Sequence, residues 1–377
     1  MRRREFLQLG AGAVAGGLML PTALEAQAGR GGAAAPATAA VPAKLKVDIY
    51  SRHLQWLRSA DDVADAAIEM AFDGVNITVR DYPGHVNPAN VAAELPPFVQ
   101  TIRKRGLLVR SITTSISDAD SPNAEQILAT ASSLGITHFW WGTYRYEAGK
   151  PIMAQLEALR PRVAKIAAMA EKHKMTAAYH TYSMPNTVGS AMWDLLSILK
   201  DFDPKYVGFH YDTGHEAHHI NGLWEVNLRA AGPYIAAVAA KDYMPIQDVG
   251  LKGEGGPYQP PPAGAAQAPR SGGARGRAGG PPAPGAPSQT LTGTWGAGNG
   301  WRTRTVPLGT GMVNLPQVAA ILKEIKFAGP LEIQAEYPNG GAESAQDKIT
   351  LPKIMVLGAM KRDLLTLRRG FAASGLL

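Results

Sequence analysis

Short runs of β-branched and aromatic residues alternate with longer stretches of helical apolar spacing from Lys44 onward. Buried parallel strands are continuous apolar runs, whereas surface helices repeat apolar residues every three to four positions. The pattern predicts eight strands, over 46–51, 74–80, 108–116, 138–142, 176–182, 206–212, 235–242 and 331–337. It predicts helices between and after them, over 61–70, 90–104, 123–134, 152–173, 191–200, 222–230, 315–325 and 351–368.

Eight strand–helix units in succession are typical of a closed parallel barrel. We therefore predict an α/β fold of the (β/α)8 TIM-barrel class. The alternative is an open, doubly wound sheet. A run of eight units without a glycine-rich phosphate-binding turn favours the barrel.

The N-terminal segment has the pattern of an export signal. Paired arginines precede Phe6-Leu7, a weakly apolar stretch covers 9–20, and Ala26-Gln27-Ala28 resembles a cleavage site. We predict a twin-arginine signal peptide over 1–28, which gives a periplasmic protein that contacts the membrane only transiently. The alternative is an uncleaved anchor, but the run is Gly/Ala-rich and shorter than the ~20 residues of a span. Residues 29–43 are predicted to be a disordered linker.

Within the barrel domain, predicted over 44–377, one long segment lacks any apolar period. Residues from 250 to about 299 are mostly Gly, Pro and Ala, so they cannot bury enough apolar surface to order themselves. We predict a disordered insertion that serves as a spacer. The alternative is a lid over the site, which is supported by three aromatic residues near the edges of the segment, Tyr258, Trp295 and Trp301.

Composition excludes several kinds of site. The chain has no cysteine, which rules out disulfides, thiolate metal ligands and a cysteine nucleophile. Its formal charge of +7 is scattered, and part of it lies in the signal and in the insertion. A scattered charge does not indicate a nucleic-acid partner.

Polar residues recur where predicted strands end, which is where barrel enzymes place their sites. Asp212 ends strand six and His215 follows on a tight turn, while His180 and Glu336 lie at equivalent heights on strands five and eight. Carboxylate and imidazole together suit a divalent cation, here Mn, Co, Mg or Zn. We predict His180, Asp212 and Glu336 as metal ligands. The alternative is that Asp212 caps the next helix and His215 is only a polar residue.

Lys241 ends strand seven, where it could carry a proton or bind a substrate oxygen. A structural salt bridge to Asp242 or Glu336 is the alternative. Glu336 is the most C-terminal of three alternating polar residues on strand eight, so it lies nearest the expected site. We predict Glu336, Lys241 and His215 as catalytic residues.

Polar and aromatic residues near other strand ends are candidates for substrate binding. They are His53, Arg80, His85, His210 and Trp141. An aromatic ring can stack on a sugar, although aromatic residues in a strand are more often core. A Gly-His pair such as the one at His85 can equally be a simple turn.

The sequence resembles the sugar phosphate isomerase/epimerase superfamily, with its xylose isomerase-like barrel. The resemblance covers most of 44–367 outside the insertion and rests on Phe72-Asp73-Gly74-Val75, Tyr179-His180, Tyr211-Asp212-Thr213-Gly214-His215, Lys241-Asp242, Pro307-Leu308-Gly309-Thr310-Gly311 and Glu336. It implies one divalent metal, held by acid, acid, histidine and acid from strands five to eight. It also implies a proton shift next to a sugar carbonyl.

By position, the resemblance makes Asp212 and Glu336 metal ligands and His215 a substrate-binding residue. Three positions depart from it: His180 stands where a glutamate is usual, Ala239 where a histidine is usual, and Thr310 where a glutamate is common. A site reduced to three ligands could hold a metal with water or could have lost it.

These observations and the resemblance predict an exported isomerase or epimerase that acts on a small carbohydrate and depends on a divalent metal held by the ligands named above. A base, either Glu336 or a metal-bound water, would remove a proton next to the carbonyl. The alternatives are a metal-dependent lyase or hydrolase of keto-sugars or glycosides, and a non-catalytic sugar-binding barrel, which Ala239 motivates. The sequence is compatible with a homo-oligomer and does not define the oligomeric state.

Overall fold

The computed structural model describes residues 44–184, 186–219, 222–247, 294–297 and 301–377. The predicted signal peptide over 1–28 and linker over 29–43 lie outside the described residues. Most of the predicted insertion, over 250–293 and 298–299, does so as well.

The described strands are short, as is usual for a parallel barrel. They are β1 (Val47–Tyr50), β2 (Gly74–Val79), β3 (Ser111–Thr114), β4 (His138–Trp141), β5 (Thr176–His180), β6 (Val207–Asp212), β7 (Ile235–Ala240), β8 (Asp242–Gln247), β9 (Thr294–Ala297), β10 (Trp301–Val306) and β11 (Leu331–Ile333).

Eight of these strands close a parallel barrel in the order β1-β11-β7-β6-β5-β4-β3-β2. Val47 pairs with Leu331 where the first and last barrel strands meet. The predicted TIM barrel is therefore confirmed, and each barrel strand falls inside a predicted one. The predicted bounds were too wide at strand three, where only Ser111–Thr114 is paired.

A second, antiparallel sheet of three strands, in the order β8-β10-β9, follows the seventh barrel strand. It was not predicted. Asp242, expected to end strand seven, begins β8 and pairs with Val306 of β10. Thr294–Ala297, which fell inside the predicted insertion, form β9.

The described helices cover the barrel or link its strands. They are α1 (Ala60–Met70), α2 (Val91–Lys104), α3 (Ala124–Ser133), α4 (Ile152–Lys172), α5 (Trp193–Leu199), α6 (Thr213–His219), α7 (Trp224–Ala231), α8 (Leu315–Glu324) and α9 (Lys353–Phe371). The sequence predicts all of them except α6, whose residues were expected to form a turn. None of the helices in the described part of the chain is long and apolar enough to cross a membrane.

The sequence of α1 explains where this helix begins and which of its faces is buried. In α1, the Ser59 side chain caps the first turn by accepting the Asp62 backbone N–H at 3.1 Å. Acidic residues in that turn favour the positive end of the helix dipole. Val63, Ala67 and Met70 then fall on one fully buried face against the barrel.

Candidate active site

Four adjacent strands deliver charged or polar side chains to the same end of the barrel. His180 is the last residue of β5 and Asp212 the last of β6, while Lys241 follows β7 directly. Glu336 lies three residues beyond β11. Because the carboxyl ends of parallel strands share one edge, these four side chains meet.

The centre of the group is the ammonium of Lys241. Its Nζ lies 3.0 Å from Asp212 Oδ2 and 3.0 Å from Glu336 Oε2. Lys241 is 2% exposed and Asp212 is fully buried, whereas Glu336 is half-buried. Lys241 therefore forms the salt bridge to Glu336 that the sequence left as an alternative. Its second salt-bridge partner is Asp212 and not Asp242.

Each charged side chain in this group stabilises the charged form of its neighbours. Burial alone would lower the pKa of Lys241, but its two carboxylate partners outweigh burial and raise that pKa well above its usual value. Burial alone would raise the pKa of Asp212, yet Lys241 and the neighbouring histidines hold it well below its usual value. Burial alone would also raise the pKa of Glu336, but Lys241 and Arg52 outweigh burial and lower that pKa to about 2. At neutral pH the group is one cation between two anions.

His180 forms part of the wall beside this group. Its Nε2 lies 3.3 Å from Asp212 Oδ2. Its ring stacks on the Trp140 indole, with centroids 4.2 Å apart and planes 11° apart. Burial lowers the pKa of His180, so the imidazole is neutral at pH 7.

His215 is held from two sides. Its backbone N–H donates to Asp212 Oδ1 at 2.9 Å, and its Nδ1 lies 2.8 Å from Ser183 Oγ. Its Nε2 lies 3.4 Å from Lys241 Nζ. Burial, with the nearby ammonium, lowers the pKa of His215 to about 3. The site therefore keeps two neutral imidazoles beside its ion pairs.

A cavity of about 320 Å³ opens above these side chains. This volume lies within the ~300–1,000 Å³ typical of small-molecule sites. The cavity is lined by Arg52, Trp140, His180, Tyr182, His215, Lys241, Gln334, Glu336, Glu343 and Ser344. Its indole wall and its charged groups suit a polyhydroxylated molecule that has an apolar face.

The structure does not bring the five predicted substrate-binding residues to this cavity. His53 is buried beneath it, with Nδ1 3.4 Å from the Ala342 carbonyl oxygen. His85 is fixed elsewhere, because its Nδ1 lies 2.8 Å from Gln55 Nε2 and its Nε2 3.0 Å from the Leu57 carbonyl oxygen. These contacts indicate structural histidines.

His210 and Trp141 also lie away from the cavity. His210 is buried deeper in the barrel, with Nε2 3.5 Å from Glu332 Oε1. Trp141 is fully buried and packs edge-on against Tyr179 in the core. Its neighbour Trp140 faces the cavity instead, because successive side chains of a strand point to opposite faces.

Arg80 occupies an intermediate position. Its guanidinium lies over the Trp140 ring, 4.9 Å from the centroid, and its Nε donates to the Thr114 carbonyl oxygen at 3.0 Å. Arg80 lines a second cavity of about 740 Å³ together with Tyr82 and Asn123. The Arg80–Trp140 pair thus stands between the two cavities.

Other residues of the cavity were not predicted. Tyr182 lies two positions after His180, and Gln334 lies between the two glutamates of the last strand, so strand alternation could have indicated both. Arg52 follows β1, and its Nη1 lies 3.9 Å from Glu336 Oε1. The only signal for Arg52 in the sequence is its position next to His53, which was predicted to bind substrate.

The predicted metal ligands do not form a metal site. His180, Asp212 and Glu336 meet, but each carboxylate directs an oxygen at Lys241 Nζ, whereas a metal needs such oxygens at roughly 2.0–2.2 Å from itself. On β7, Ala239 offers a methyl group. Among the residues that the structure describes, no group of three or more His, Asp or Glu side chains could hold a metal ion. The donor set does not fit a divalent cation while Lys241 is charged.

The fold and the strand-end site define a TIM-barrel protein whose polar groups converge at the carboxyl end of the barrel. The family described as xylose isomerase-like TIM barrel matches residues 64–353, more than half of the chain. The chain belongs to this family. A comparison with curated protein sequences finds no significant match.

Solved structures of similar fold include several sugar epimerases. A D-psicose 3-epimerase with D-tagatose, from Clostridium cellulolyticum H10, is 11% identical with a TM-score of 0.55, over 87% of this chain and 99% of that one. The 3-keto-D-glucoside 4-epimerase YcjR from E. coli, in its apo form, is 10% identical with a TM-score of 0.52, over 85% and 100%. The IOLI protein with a bound zinc atom is 11% identical with a TM-score of 0.59, over 87% and 100%. At these identities the likeness shows the fold.

Proposed function

We propose that this protein is a sugar isomerase or epimerase that moves a proton on the carbon next to a carbonyl group. The observation that carries the proposal is the Asp212–Lys241–Glu336 group at the base of a cavity of sugar-compatible size. Membership of the xylose isomerase-like family and the likeness to sugar epimerases support it.

In the proposed reaction the substrate carbonyl oxygen lies against the Lys241 ammonium. The Glu336 carboxylate takes the proton from the adjacent carbon. The C–H electron pair forms a C=C bond, and the carbonyl pair moves to oxygen to give an enediolate. Delivery of a proton from a second acid on the opposite face gives an epimer and leaves Glu336 protonated until solvent removes that proton. Return of the Glu336 proton to the neighbouring carbon, with transfer of the hydroxyl proton between the two oxygens, gives an isomer.

The low pKa of Glu336 is compatible with this role. Lys241 lowers that pKa in the free protein, so the carboxylate is ionised and ready to accept a proton. As negative charge moves from Glu336 to the substrate oxygen, the ammonium can follow it. The ammonium then stabilises the enediolate, and Glu336 becomes a stronger base.

Substitution of the two carboxylates tests the proposal. We expect Glu336→Gln and Asp212→Asn each to lower turnover by ~10²–10⁴-fold, because each removes a charge needed for proton transfer. The measurement is NMR of a panel of ketoses and aldoses in D2O, which detects both new sugars and deuterium at the reacting carbon. Glu69→Gln, at an exposed position on α1, is the matched control. Undiminished exchange in both site variants would reject the proposed site.

A second candidate is a lyase or hydrolase that acts on a keto-sugar or glycoside. The second cavity beside Arg80 favours it, since about 740 Å³ could hold the remainder of a glycoside. The same NMR panel, extended to glycosides, separates the two candidates. Release of two fragments would identify cleavage, whereas isomerisation conserves the number of molecules.

We further propose that the protein is exported through the twin-arginine pathway, on the basis of Arg3-Arg4 before Phe6-Leu7. Replacement of both arginines by lysine should retain the full-length chain in the cytoplasm, while the unaltered chain is recovered from the periplasm. Fractionation with an antibody against the barrel measures this. Equal periplasmic recovery of both chains would contradict the proposal.

A further inference from the structure

The space between the two site carboxylates is filled by the chain's own cation. In the barrel, β7 lies between β6, which carries Asp212, and β11, which leads to Glu336. The first residue after β7 is Lys241, so its side chain arises between the two acids. This topology places the ammonium 3.0 Å from each of them.

Both acids hold the ammonium there. Of its three N–H bonds, two are directed at the carboxylates of Asp212 and Glu336. Arg52 adds a second cation, 3.9 Å from Glu336. A divalent cation on the same carboxylates would be close to both positive groups. The carboxylates thus favour either the ammonium or a metal, and not both together.

The small residues of β7 make this arrangement possible. Ala239 and Ala240 precede Lys241 and are buried. A larger donor side chain at Ala239 would compete for the space beside the lysine stem. The short side chain of Ala239 and the buried lysine two positions later are therefore consistent with each other.

We propose that the Lys241 ammonium takes the place of a divalent metal in this site, so that the protein binds and converts its sugar without one. The catalytic half of this inference rests on the proposed function. A substrate carbonyl oxygen would accept the third N–H bond of the ammonium, while Asp212 keeps the ammonium charged and in place.

Metal content tests the inference without any substrate. We expect the full chain, purified without chelator from cells grown with Mn²⁺, Co²⁺ and Zn²⁺, to contain well below one metal per chain. In Lys241→Met the stem remains but the charge is lost. Mn²⁺, followed by electron paramagnetic resonance, should then bind at least ~10-fold more tightly than to the unaltered protein. Lys165→Met, at an exposed position on α4, is the control and should leave Mn²⁺ binding unchanged.

Two further variants make the result specific. Lys241→Arg keeps a positive charge and should still exclude Mn²⁺, which separates a charge effect from a loosened fold. Lys241→Met combined with Asp212→Asn should lose the gained Mn²⁺ binding. About one metal per chain in the unaltered protein, absent from Asp212→Asn, would overturn the inference. Equal Mn²⁺ binding by the unaltered protein and Lys241→Met would also overturn it.

Activity supplies an independent readout. Turnover of any sugar found in the NMR panel should survive EDTA and fall by at least ~10²-fold in Lys241→Met. Loss of turnover with EDTA and its recovery with added metal would overturn the inference. If no sugar is converted, the proposed function fails, while the metal measurements still decide whether Lys241 fills the metal's position.

Discussion

At the scale of single residues, two glutamates on one strand show how much a neighbouring cation matters. Glu332 and Glu336 are four positions apart in a segment whose side chains alternate in direction. Burial raises the pKa of Glu332 to about 7, against the lowering effect of hydrogen bonds from Asn76 and Gln334. The pKa of Glu336 falls to about 2 because Lys241 adjoins it. Similar side chains thus differ in charge at mildly acidic pH.

This difference predicts a pH-dependent stability. The pKa of Glu332 is higher in the folded chain than the usual 4.5. The folded state therefore binds the proton more tightly, and its stability falls as pH rises from about 4.5 to about 7. Glu332→Gln cannot lose a proton, so the variant should gain about 1–3 kcal/mol relative to the unaltered chain between pH 5 and pH 8.

Urea denaturation at pH 5 and pH 8 measures the change. Asn76 and Gln334 donate to different oxygens of Glu332, and a glutamine side chain retains only one oxygen. The variant therefore loses one of these hydrogen bonds at both pH values, and the relative gain is read from the difference between pH 5 and pH 8. Glu69→Gln should show no such relative gain. Parallel pH curves for Glu332→Gln and the unaltered chain would contradict the assignment.

The sequence singles out polar and charged residues at the ends of apolar strands because such groups are costly to bury. His180, Asp212, Lys241 and Glu336 were chosen in this way, and the structure brings them together. The contact between Lys241 and both acids was not predicted, since it depends on which strands are neighbours in the closed barrel. The choice of Trp141 over Trp140 failed because all of Phe139–Trp141 is apolar and buried, so no alternation marks the inward face.

At the scale of elements, Asp242 connects the site to the three-stranded sheet. Its Oδ2 accepts the backbone N–H groups of Gly309 and Gly311 at 3.0 and 2.9 Å. Its Oδ1 accepts those of Tyr243 and Val313. No side chain fits at Gly311, where a Cβ would lie 2.2 Å from the Tyr243 carbonyl oxygen. The loop after β10 is therefore fixed to the residue next to Lys241.

Asp242→Asn should break this connection. The amide group would turn a donor toward backbone donors, which leaves two of these four backbone N–H groups without an acceptor. We expect a loss of about 2–4 kcal/mol in the free energy of unfolding, with a fall in turnover because Lys241 is displaced. Urea denaturation measures the first effect. Asp61→Asn, with a side chain 72% exposed, should change stability by less than ~0.5 kcal/mol, and a similarly small change at Asp242 would contradict this role.

The same scale shows what local pattern cannot predict. Barrel strands and their helices were recognisable because each has its own apolar period. β8 and β10 were missed because their pairing joins distant residues, such as Gln247 and Trp301, which are more than fifty positions apart. β9 was missed because it lies in the Gly/Pro/Ala-rich segment that was predicted to be a disordered insertion. Helix α6 was missed because most of its seven residues are polar, which leaves no apolar period to recognise.

At the scale of the whole molecule, the two ends of the barrel domain meet. The Leu45 backbone N–H donates to the Leu376 carbonyl oxygen at 2.6 Å, and Lys44 Nζ to that of Leu377 at 3.1 Å. Lys44–Leu377 form one compact unit. All of the described barrel contacts therefore lie within 44–377.

A chain that begins at residue 44 should consequently retain the stability of the barrel. We expect its melting temperature to lie within ~2 °C of that of the full chain. Removal of 374–377 should lower it by about 2–4 °C, since Leu376 and Leu377 pack against the core. Calorimetry compares the three chains. A large loss on removal of 1–43 would show that these residues contribute to the stability of the fold.

The stacked pair of Trp140 and His180 also gives the protein an optical signal. The indole lies between an imidazole at 4.2 Å and the Arg80 guanidinium at 4.9 Å, on the wall of the cavity. A ligand that enters would change the polarity around this ring, and with it the intensity and wavelength of its fluorescence. Six other tryptophans contribute a background that Trp140→Phe would define. Sugars can thus be screened by emission before any product is known.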